Sequence, residues 1–473
     1  GTLVAQYLPG FYADHQNYDD IIVAGNQVGG ANSFHNVLDN SLLLNTTAIY
    51  DGNMVDLSTT RTAFNAVGGL TKNENSVAGG LEHVYPKLPG SNVNPAGTNA
   101  FDQMVARLFT IDNKATFLAV LDQLSGAQYA QQLQSTLWSL RPLNESVTDR
   151  MNCGLNQPNV PVAQGYGYQP YGCFRPGQFQ TWARVWGGWN HNDGDVNAPG
   201  YDEQQWAIWG GGDYGISDRF MIGFAGGFFR SNMDFNNFGG VPGGKIEYDG
   251  GQIAGYAAWD TTIWYNRAIV SGGWYSGDSQ RNFALQSSPV DPNGSPDSNA
   301  VSFYDELGRR FGVWTGVTLT PFAGVTVSHA ELDGFTENDH NSGAALKVAG
   351  SDGDSVASLL GLRFSGEWWG VFKPQVALAW EHEFDDTFQT INASFAGAPS
   401  GSNFKVRGTD LGEETFVVDA GASYALGLNN DLSFRYVGRF LENYDAQSVM
   451  GRWTYKWGGA PVAAPPPVYT PLK

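Results

Sequence analysis

Hydrophobic and polar positions alternate with a period of two through much of the C-terminal half of the chain. In 448–457, Val449, Gly451, Trp453, Tyr455 and Trp457 share one face, and Ser448, Met450, Arg452, Thr454 and Lys456 share the other. Successive side chains of a strand point to opposite sides of the sheet. The pattern therefore predicts a strand with one aromatic, apolar face and one polar or cationic face. In 372–382, Phe372, Val376, Leu378, Trp380 and His382 oppose Lys373, Gln375, Ala377, Ala379 and Glu381. In 432–440, Leu432, Phe434, Tyr436 and Phe440 oppose Ser433, Arg435, Val437 and Arg439.

From Gln178 onward about twelve segments of this kind follow: 179–190, 201–216, 219–232, 246–259, 263–277, 300–315, 317–330, 354–368, 371–384, 414–426, 431–441 and 447–457. Their connections alternate long and short until 427–430 and 442–446, which are both short. Short periplasmic turns and long outer loops give a membrane β-barrel that rhythm, and a soluble sandwich has no reason for it. An even strand count brings both barrel ends to the short-turn side. Pairing 179–190 with 447–457 then removes the sheet edges that lipid would leave unsatisfied.

This geometry gives the faces roles. Trp189, Phe228, Trp259, Trp274, Trp380 and Trp457 are expected to meet lipid or form the interfacial girdles. Arg184, Arg230, Arg267, Arg363, Glu367, Arg435, Arg439 and Arg452 are expected mostly to line the lumen, hydrated or paired. An arginine at the lipid midplane would cost about 2–4 kcal/mol. A substrate-selective ring is the alternative reading of the same charges.

Upstream the pattern changes twice. Residues 1–69 hold short strands, at 21–24, 42–44, 47–50 and 54–57, broken by Gly, Asn and Asp clusters. They read as the last turns of a β-solenoid. Residues 70–151 form a helical linker ahead of the barrel. Thr71 and Glu74 make a capping box, and helices are expected over 73–85, 99–110 and 114–124. A further helix runs to about 140, with Leu133, Leu137 and Leu140 on one stripe, and Pro142 ends it or opens another turn. Residues 152–177 are a Pro/Gly/Tyr-rich linker carrying Cys153 and Cys173. In an exported protein these are expected to close one disulfide, worth roughly 3 kcal/mol. The barrel is expected over 178–457, and a Pro-rich periplasmic tail over 458–473. That tail is either coreless extended chain or a docking peptide for a periplasmic or cell-wall partner.

Composition narrows the class. Aromatics at 14% with charged residues at only 15% suit a sheet with an amphipathic shell. A net charge of −20 argues against nucleic acid as a partner, since phosphates would be repelled. No apolar run reaches the length of a membrane helix, a test that a β-barrel escapes. Gly1 begins in strand-rich sequence without a leader, which predicts a processed or truncated product.

No catalytic pattern stands out, so no enzyme activity, metal or cofactor is expected. There is no G-x-S-x-G elbow, Walker loop or H-E-x-x-H. Gly277-Asp278-Ser279 falls in an expected outer loop, and the seven histidines are scattered. Asp193-Gly194-Asp195 and Asp352-Gly353-Asp354 read as solvated turns rather than a calcium loop. Arg407-Gly408-Thr409-Asp410 only approximates an adhesion motif.

Several stretches carry a family likeness in order and spacing. They are L-T-K-N-E-N-S-V-A-G-G-L-E at 70–82, L-D-Q-L-S-G-A-Q-Y-A at 121–130, W-A-R-V-W-G-G-W at 182–189 and G-G-D-Y at 211–214. Later come S-V-A-S-L-L-G-L-R at 355–363, W-E-H-E-F at 380–384 and G-R-W-T-Y-K-W at 451–457. Together they resemble the C-terminal part of monomeric type Va autotransporters, secretion proteins of Gram-negative bacteria. The resemblance implies a mainly β fold with a twelve-stranded transmembrane barrel, its lumen threaded by a helix or linker. It implies the end of a right-handed β-helical passenger at 1–69, exposed at the cell surface. Trp453, Tyr455 and Trp457 would be the aromatics of the closing strand. The implied function is a non-enzymatic translocator that exports and anchors its own passenger, with outer-membrane lipid and the barrel-assembly machinery as partners. The tail beyond Trp457 and the cysteine-bearing linker depart from the family pattern. Two rivals are an outer-membrane channel for small solutes, which needs an open lumen, and a structural or adhesive surface protein whose retained N-terminal region does the work.

Overall fold

The computed structural model describes the chain except residues 27, 91–92, 153–173, 175, 262, 286–289, 315–316, 339, 367–371, 427–428 and 458–473. Cys153, Cys173, Glu367 and the Pro-rich tail therefore lie outside the described residues.

The N-terminal region holds β1 (Thr2–Ala5), β2 (His15–Val23), β3 (Asn36–Asp39), β4 (Leu44–Asp51) and β5 (Met54–Arg61). β1 and β3 pair in parallel, from Thr2↔Asn36 to Ala5↔Asp39. The other three form an antiparallel sheet in the order β2-β5-β4. The solenoid expected over 1–69 is thus limited to one parallel pair. The reason is local: Gly52 adopts φ 60°, so the chain turns tightly after Asp51 and folds β5 back on β4.

Five helices follow: α1 (Lys72–Val84), α2 (Ala100–Leu108), α3 (Lys114–Ser125), α4 (Ala127–Trp138) and α5 (Arg141–Arg150). The Thr71 hydroxyl accepts from the Glu74 N–H at 3.2 Å, and the Glu74 carboxylate accepts from the Thr71 N–H at 2.5 Å. Asn99 and Asn113 cap α2 and α3 in the same sense. Gly126, at φ 65°, separates α3 from α4. Pro142 sits in the first turn of α5, where its missing N–H breaks no helical hydrogen bond.

The barrel begins with β6 (Phe179–Asn192), β7 (Tyr201–Gly215), β8 (Phe220–Phe235), β9 (Lys245–Asp260) and β10 (Trp264–Gln280). Next come β11 (Asn293–Gly294), β12 (Ser298–Arg309), β13 (Phe311–Trp314), β14 (Val317–Leu332), β15 (Phe335–Thr336) and β16 (Leu346–Val348). β17 (Ser351–Gly366), β18 (Phe372–Glu383), β19 (Thr390–Phe395), β20 (Phe404–Arg407), β21 (Glu414–Ala425), β22 (Asn430–Phe440) and β23 (Tyr444–Trp457) complete the chain. Twelve of these, β6–β10, β12, β14, β17, β18 and β21–β23, pair antiparallel with their neighbours. β23 returns to β6 from Tyr444↔Asn192 to Trp457↔Phe179, so the ring closes without an edge. No helix among the described residues is long and apolar enough to cross a membrane; the strands make the crossing.

The outer surface shows where lipid lies. Trp189, Trp206, Phe228, Trp274 and Trp380 face outward toward the long-loop end. Phe179, Tyr214, Trp259, Trp264, Tyr424, Trp453 and Trp457 are exposed toward the short-turn end. Tyr455 shares that outward face, its ring 4.6 Å from that of Trp457. β8, β9 and β10 have 16, 16 and 17 residues, beyond the roughly 9–11 that cross a bilayer. Their surplus projects outward as a vestibule.

Arg230 corrects one expectation. Along β8, Met221, Ala225, Phe229, Ser231 and Met233 point inward, so Arg230 shares the outward face with Phe224 and Phe228. It lies directly opposite the outward Trp206 of the neighbouring strand, at the level of the aromatic band, and pairs with Glu247 at 2.8 Å instead of lining the lumen.

The long loops are structured. β15, β16, β19 and β20 form a four-stranded sheet, and α1 packs on β20. Asn73 joins them by two hydrogen bonds: Nδ2 donates to the Arg407 carbonyl at 2.8 Å and Oδ1 accepts the Arg407 N–H at 3.0 Å. Gly80 permits the close approach, since a Cβ there would lie 2.9 Å from the Ser402 carbonyl oxygen. The N-terminal region is therefore stitched to the long-loop end.

Candidate functional site

The lumen is the candidate site, and the chain itself fills it. Every α4 residue from Ala127 to Leu137 is buried. Leu133 and Leu137 join Leu140 in the apolar core, while polar side chains on its other faces bond to the barrel strands and the long loops. Gln131 Nε2 donates to the Pro199 carbonyl at 2.6 Å and to Thr409 Oγ1 at 2.8 Å. Gln132 Nε2 donates to the Pro296 carbonyl at 2.8 Å. The Ser135 hydroxyl donates to Glu203, which also accepts from Ser231 at 2.6 Å. Tyr129 donates to Glu337 at 2.6 Å, and Arg281 holds the same carboxylate at 2.7 Å. A buried polar group without a partner costs on the order of 1–3 kcal/mol, so this set of partners fixes where α4 sits.

α5 carries charge into the membrane-level lumen. Asp149 is buried between Arg184 and Arg452, with Arg452 Nη1 at 2.9 Å. Arg150 makes a two-pronged pair with Asp213, both N–O distances being 2.8 Å, and reaches Gln180 at 2.6 Å. Glu145 pairs with Arg439, Arg141 pairs with Glu381 at 2.9 Å, and Arg435 donates to the Glu145 carbonyl at 2.8 Å. Asn144 bridges Ser271 at 2.8 Å and Ser302 at 3.2 Å. The levels are informative. Ser139 bonds Tyr275, next to outward Trp274. Arg150 bonds Asp213, next to outward Tyr214. The chain thus runs from the outer aromatic level to the inner one within its own barrel.

Of the residues singled out from sequence, Arg184, Arg267, Arg363, Arg435, Arg439 and Arg452 point inward. Arg267 and Arg363 share Glu306 at 3.3 and 3.1 Å. Arg435 pairs with Asp419 at 2.6 Å. Arg230 points outward, as above, and Glu367 lies outside the described residues. Ser279 of Gly277-Asp278-Ser279 is in β10, not a loop, because that strand extends to Gln280. Its hydroxyl donates to the Gly294 carbonyl and touches Tyr129, both at 3.1 Å. Asp352-Gly353-Asp354 likewise lies in β17, not a turn. Arg407 of the Arg-Gly-Thr-Asp stretch pairs with Asp195 at 3.0 Å beside α1, so the motif is part of the loop packing. The partners on the inner helices, Asp149, Arg150, Glu145 and the glutamines of α4, were not foreseen. Their signal was a leucine-striped helix whose other faces carry Gln and Ser.

The autotransporter β-domain family model matches residues 181–437, more than half of the chain. The chain belongs to the autotransporter family. It is 23% identical over 350 residues to an extracellular serine protease of Serratia marcescens, covering 71% of this chain and 30% of that protein. It is 24% identical over 249 residues to esterase EstA of Pseudomonas aeruginosa, covering 50% of this chain and 36% of that protein. The chain thus spans about a third of the length of the curated relatives it matches. Among solved structures, the translocator domain of autotransporter NalP from Neisseria meningitidis aligns with a TM-score of 0.51 at 14% identity, covering 71% of this chain and 99% of that one.

This autotransporter is an outer-membrane translocator barrel of a Gram-negative bacterium, and α4 and α5 lie buried in its lumen. Cavities of about 60 and 50 Å³ lie beside α5, the first lined among others by Arg141, Glu145, Glu306, Arg363 and Asp419. A water needs about 10–15 Å³ of such space, so each cavity has room for a few waters. At the surface, Arg61 pairs with Glu82 at 2.6 Å and Asp14 at 2.9 Å, joining β5 to α1. Burial alone would raise the Glu82 pKa. The Arg61 hydrogen bonds and charge, with the Phe64 N–H, outweigh it and hold the group below its usual range.

Proposed function

We propose that this autotransporter exports its own N-terminal passenger through the outer membrane and anchors it at the cell surface. The single observation that supports this best is continuity. One chain leads from a region stitched to the long loops, through α4 and α5 inside the lumen, to the inner aromatic level where the barrel begins. A segment that had crossed outward would leave its trailing end in that position. Residues 1–69 then act as the passenger's base, and the barrel as a device that moves and holds chain without chemistry of its own. Insertion by the barrel-assembly machinery, with outer-membrane lipid as the surrounding partner, completes the proposal.

The solute-channel reading is disfavoured by the same lumen, which the buried α4 and the ion-paired α5 occupy. The test is topological. In a background with Cys153 and Cys173 replaced by serine, Asn53→Cys at the β4–β5 turn and Ser217→Cys at a short barrel turn are treated with a membrane-impermeant thiol reagent on intact cells. Export predicts labelling of the first alone until the outer membrane is opened. Labelling of the second alone, or of neither, would refute it.

A further inference from the structure

Three histidines, His191, His329 and His382, stand on the outward face toward the long-loop end. Each lies two positions beyond an exposed apolar residue, Trp189, Val327 or Trp380. Two of them are clamped ion pairs. His191 has Asp202 on Nδ1 at 2.6 Å and Asp193 on Nε2 at 3.3 Å. His329 has Asp354 on Nδ1 at 2.8 Å and Glu331 on Nε2 at 3.7 Å. A carboxylate at each ring nitrogen puts the donor atoms on opposite sides of the imidazole, where they cannot share one ion.

His382 is arranged differently. It lies directly opposite Glu414 across the β18–β21 pair, and Glu414 Oε1 is 3.1 Å from Nδ1. Glu413 converges on the same place, so that one donor atom from each of the three residues lies within 4.8 Å of the others. Among the described residues it is the one such group of three. Glu414 is oriented from behind by the indole N–H of Trp380. The backbone pairing of β18 and β21 fixes the spacing of two donors, and the exposed Glu413 side chain brings the third to the same place.

We infer that His382, Glu413 and Glu414 form a binding site for a borderline divalent cation of the Zn²⁺ class at the outer rim of the barrel. One imidazole nitrogen and two carboxylates are a donor set that zinc takes, with water in the fourth position. Mg²⁺ and Ca²⁺ prefer all-oxygen shells with more ligands. The ion would relieve the repulsion of two adjacent carboxylates and cross-link neighbouring strands above the lipid. Trp380 would be a positioning residue, acting on the ion through Glu414.

The test is calorimetric titration of the purified full chain in detergent with ZnCl₂ alone, each variant first shown to keep heat-modifiable gel mobility. The expected result is a single saturable site that is lost in His382→Ala and in Glu413→Gln. Trp380→Phe should weaken it about tenfold, the usual effect of removing an outer-shell partner. His329→Ala should leave it unchanged. Absence of saturable binding, binding that survives His382→Ala, or equal competition by Mg²⁺ would overturn the assignment.

Discussion

Replacing Asp149 by Asn is the sharpest perturbation of the lumen. The carboxylate lies between Arg184 and Arg452, and all three side chains are at most 3% exposed. The variant keeps the volume but removes the carboxylate that lies between two guanidinium groups. Removing one partner of a buried pair costs about 3–5 kcal/mol, because the remaining charge stays desolvated. At about 1.4 kcal/mol per decade, the balance between seated and unseated α5 shifts by roughly 10² to 4 × 10³-fold. The barrel itself should survive, since its backbone pairing is untouched and Arg150–Asp213, Glu145–Arg439 and Arg141–Glu381 remain. The assay is hydrogen exchange of the α5 amides in the folded, detergent-solubilised chain. Exchange should rise in α5 by the same factor and stay unchanged in β6 and β23. The triple variant Asp149→Leu, Arg184→Met, Arg452→Met should restore protection, because it removes the charges together. Unaltered α5 exchange in Asp149→Asn would refute the view that this pair seats the helix.

Three further outcomes follow from the structure. Thr71→Ala removes half of the capping box and should cost about 1 kcal/mol, read as faster proteolysis near the start of α1 with unchanged heat-modifiable mobility of the barrel. Burial first, and the neighbouring Glu74 charge second, push the Asp122 carboxyl from 3.8 up to about 7. The folded state therefore holds a proton that the unfolded chain has released. Stability of the surface helices should fall as pH rises from about 4 to 7, and Asp122→Asn should flatten that slope and be more stable than the parent at pH 8, as followed by thermal unfolding. Gly250→Ala would place a Cβ 1.8 Å from the Trp274 carbonyl oxygen. The backbone of β10 cannot yield there without losing pairing, so the folded fraction on heat-modifiable gels should drop sharply.

The barrel was legible in the sequence because lipid on one side imposes a strict alternation. Trp453, Tyr455 and Trp457 could be assigned to the outer face from parity alone, and so could Val376, Leu378 and Trp380. Arg230 departs from the lumen expectation because parity, not charge, sets its face. It shares a face with Phe224 and Phe228 and lies opposite the outward Trp206. The contents of the lumen were harder to read. A helix inside a polar-walled barrel shows Gln128, Gln131, Gln132 and Ser135 on faces that look solvated, although all four are buried. Only the leucine stripe of α4 signals packing. The charges of α5 look equally like a surface helix, because their partners Arg184, Asp213, Arg439 and Arg452 lie on strands distant in sequence. In the N-terminal region the Gly, Asn and Asp clusters mark the breaks between strands, but the antiparallel return at Gly52 in place of another solenoid rung depends on pairing that spacing alone does not reveal.

The most direct test of the filled-lumen account is the conductance of the purified full chain in a planar lipid bilayer at neutral pH. With α4 and α5 seated, the account predicts a mostly closed barrel with brief openings, and a steady open state once Asp149→Asn is combined with Arg150→Gln. A large, steady conductance from the unmodified chain would contradict it, and would return the protein to the solute-channel reading.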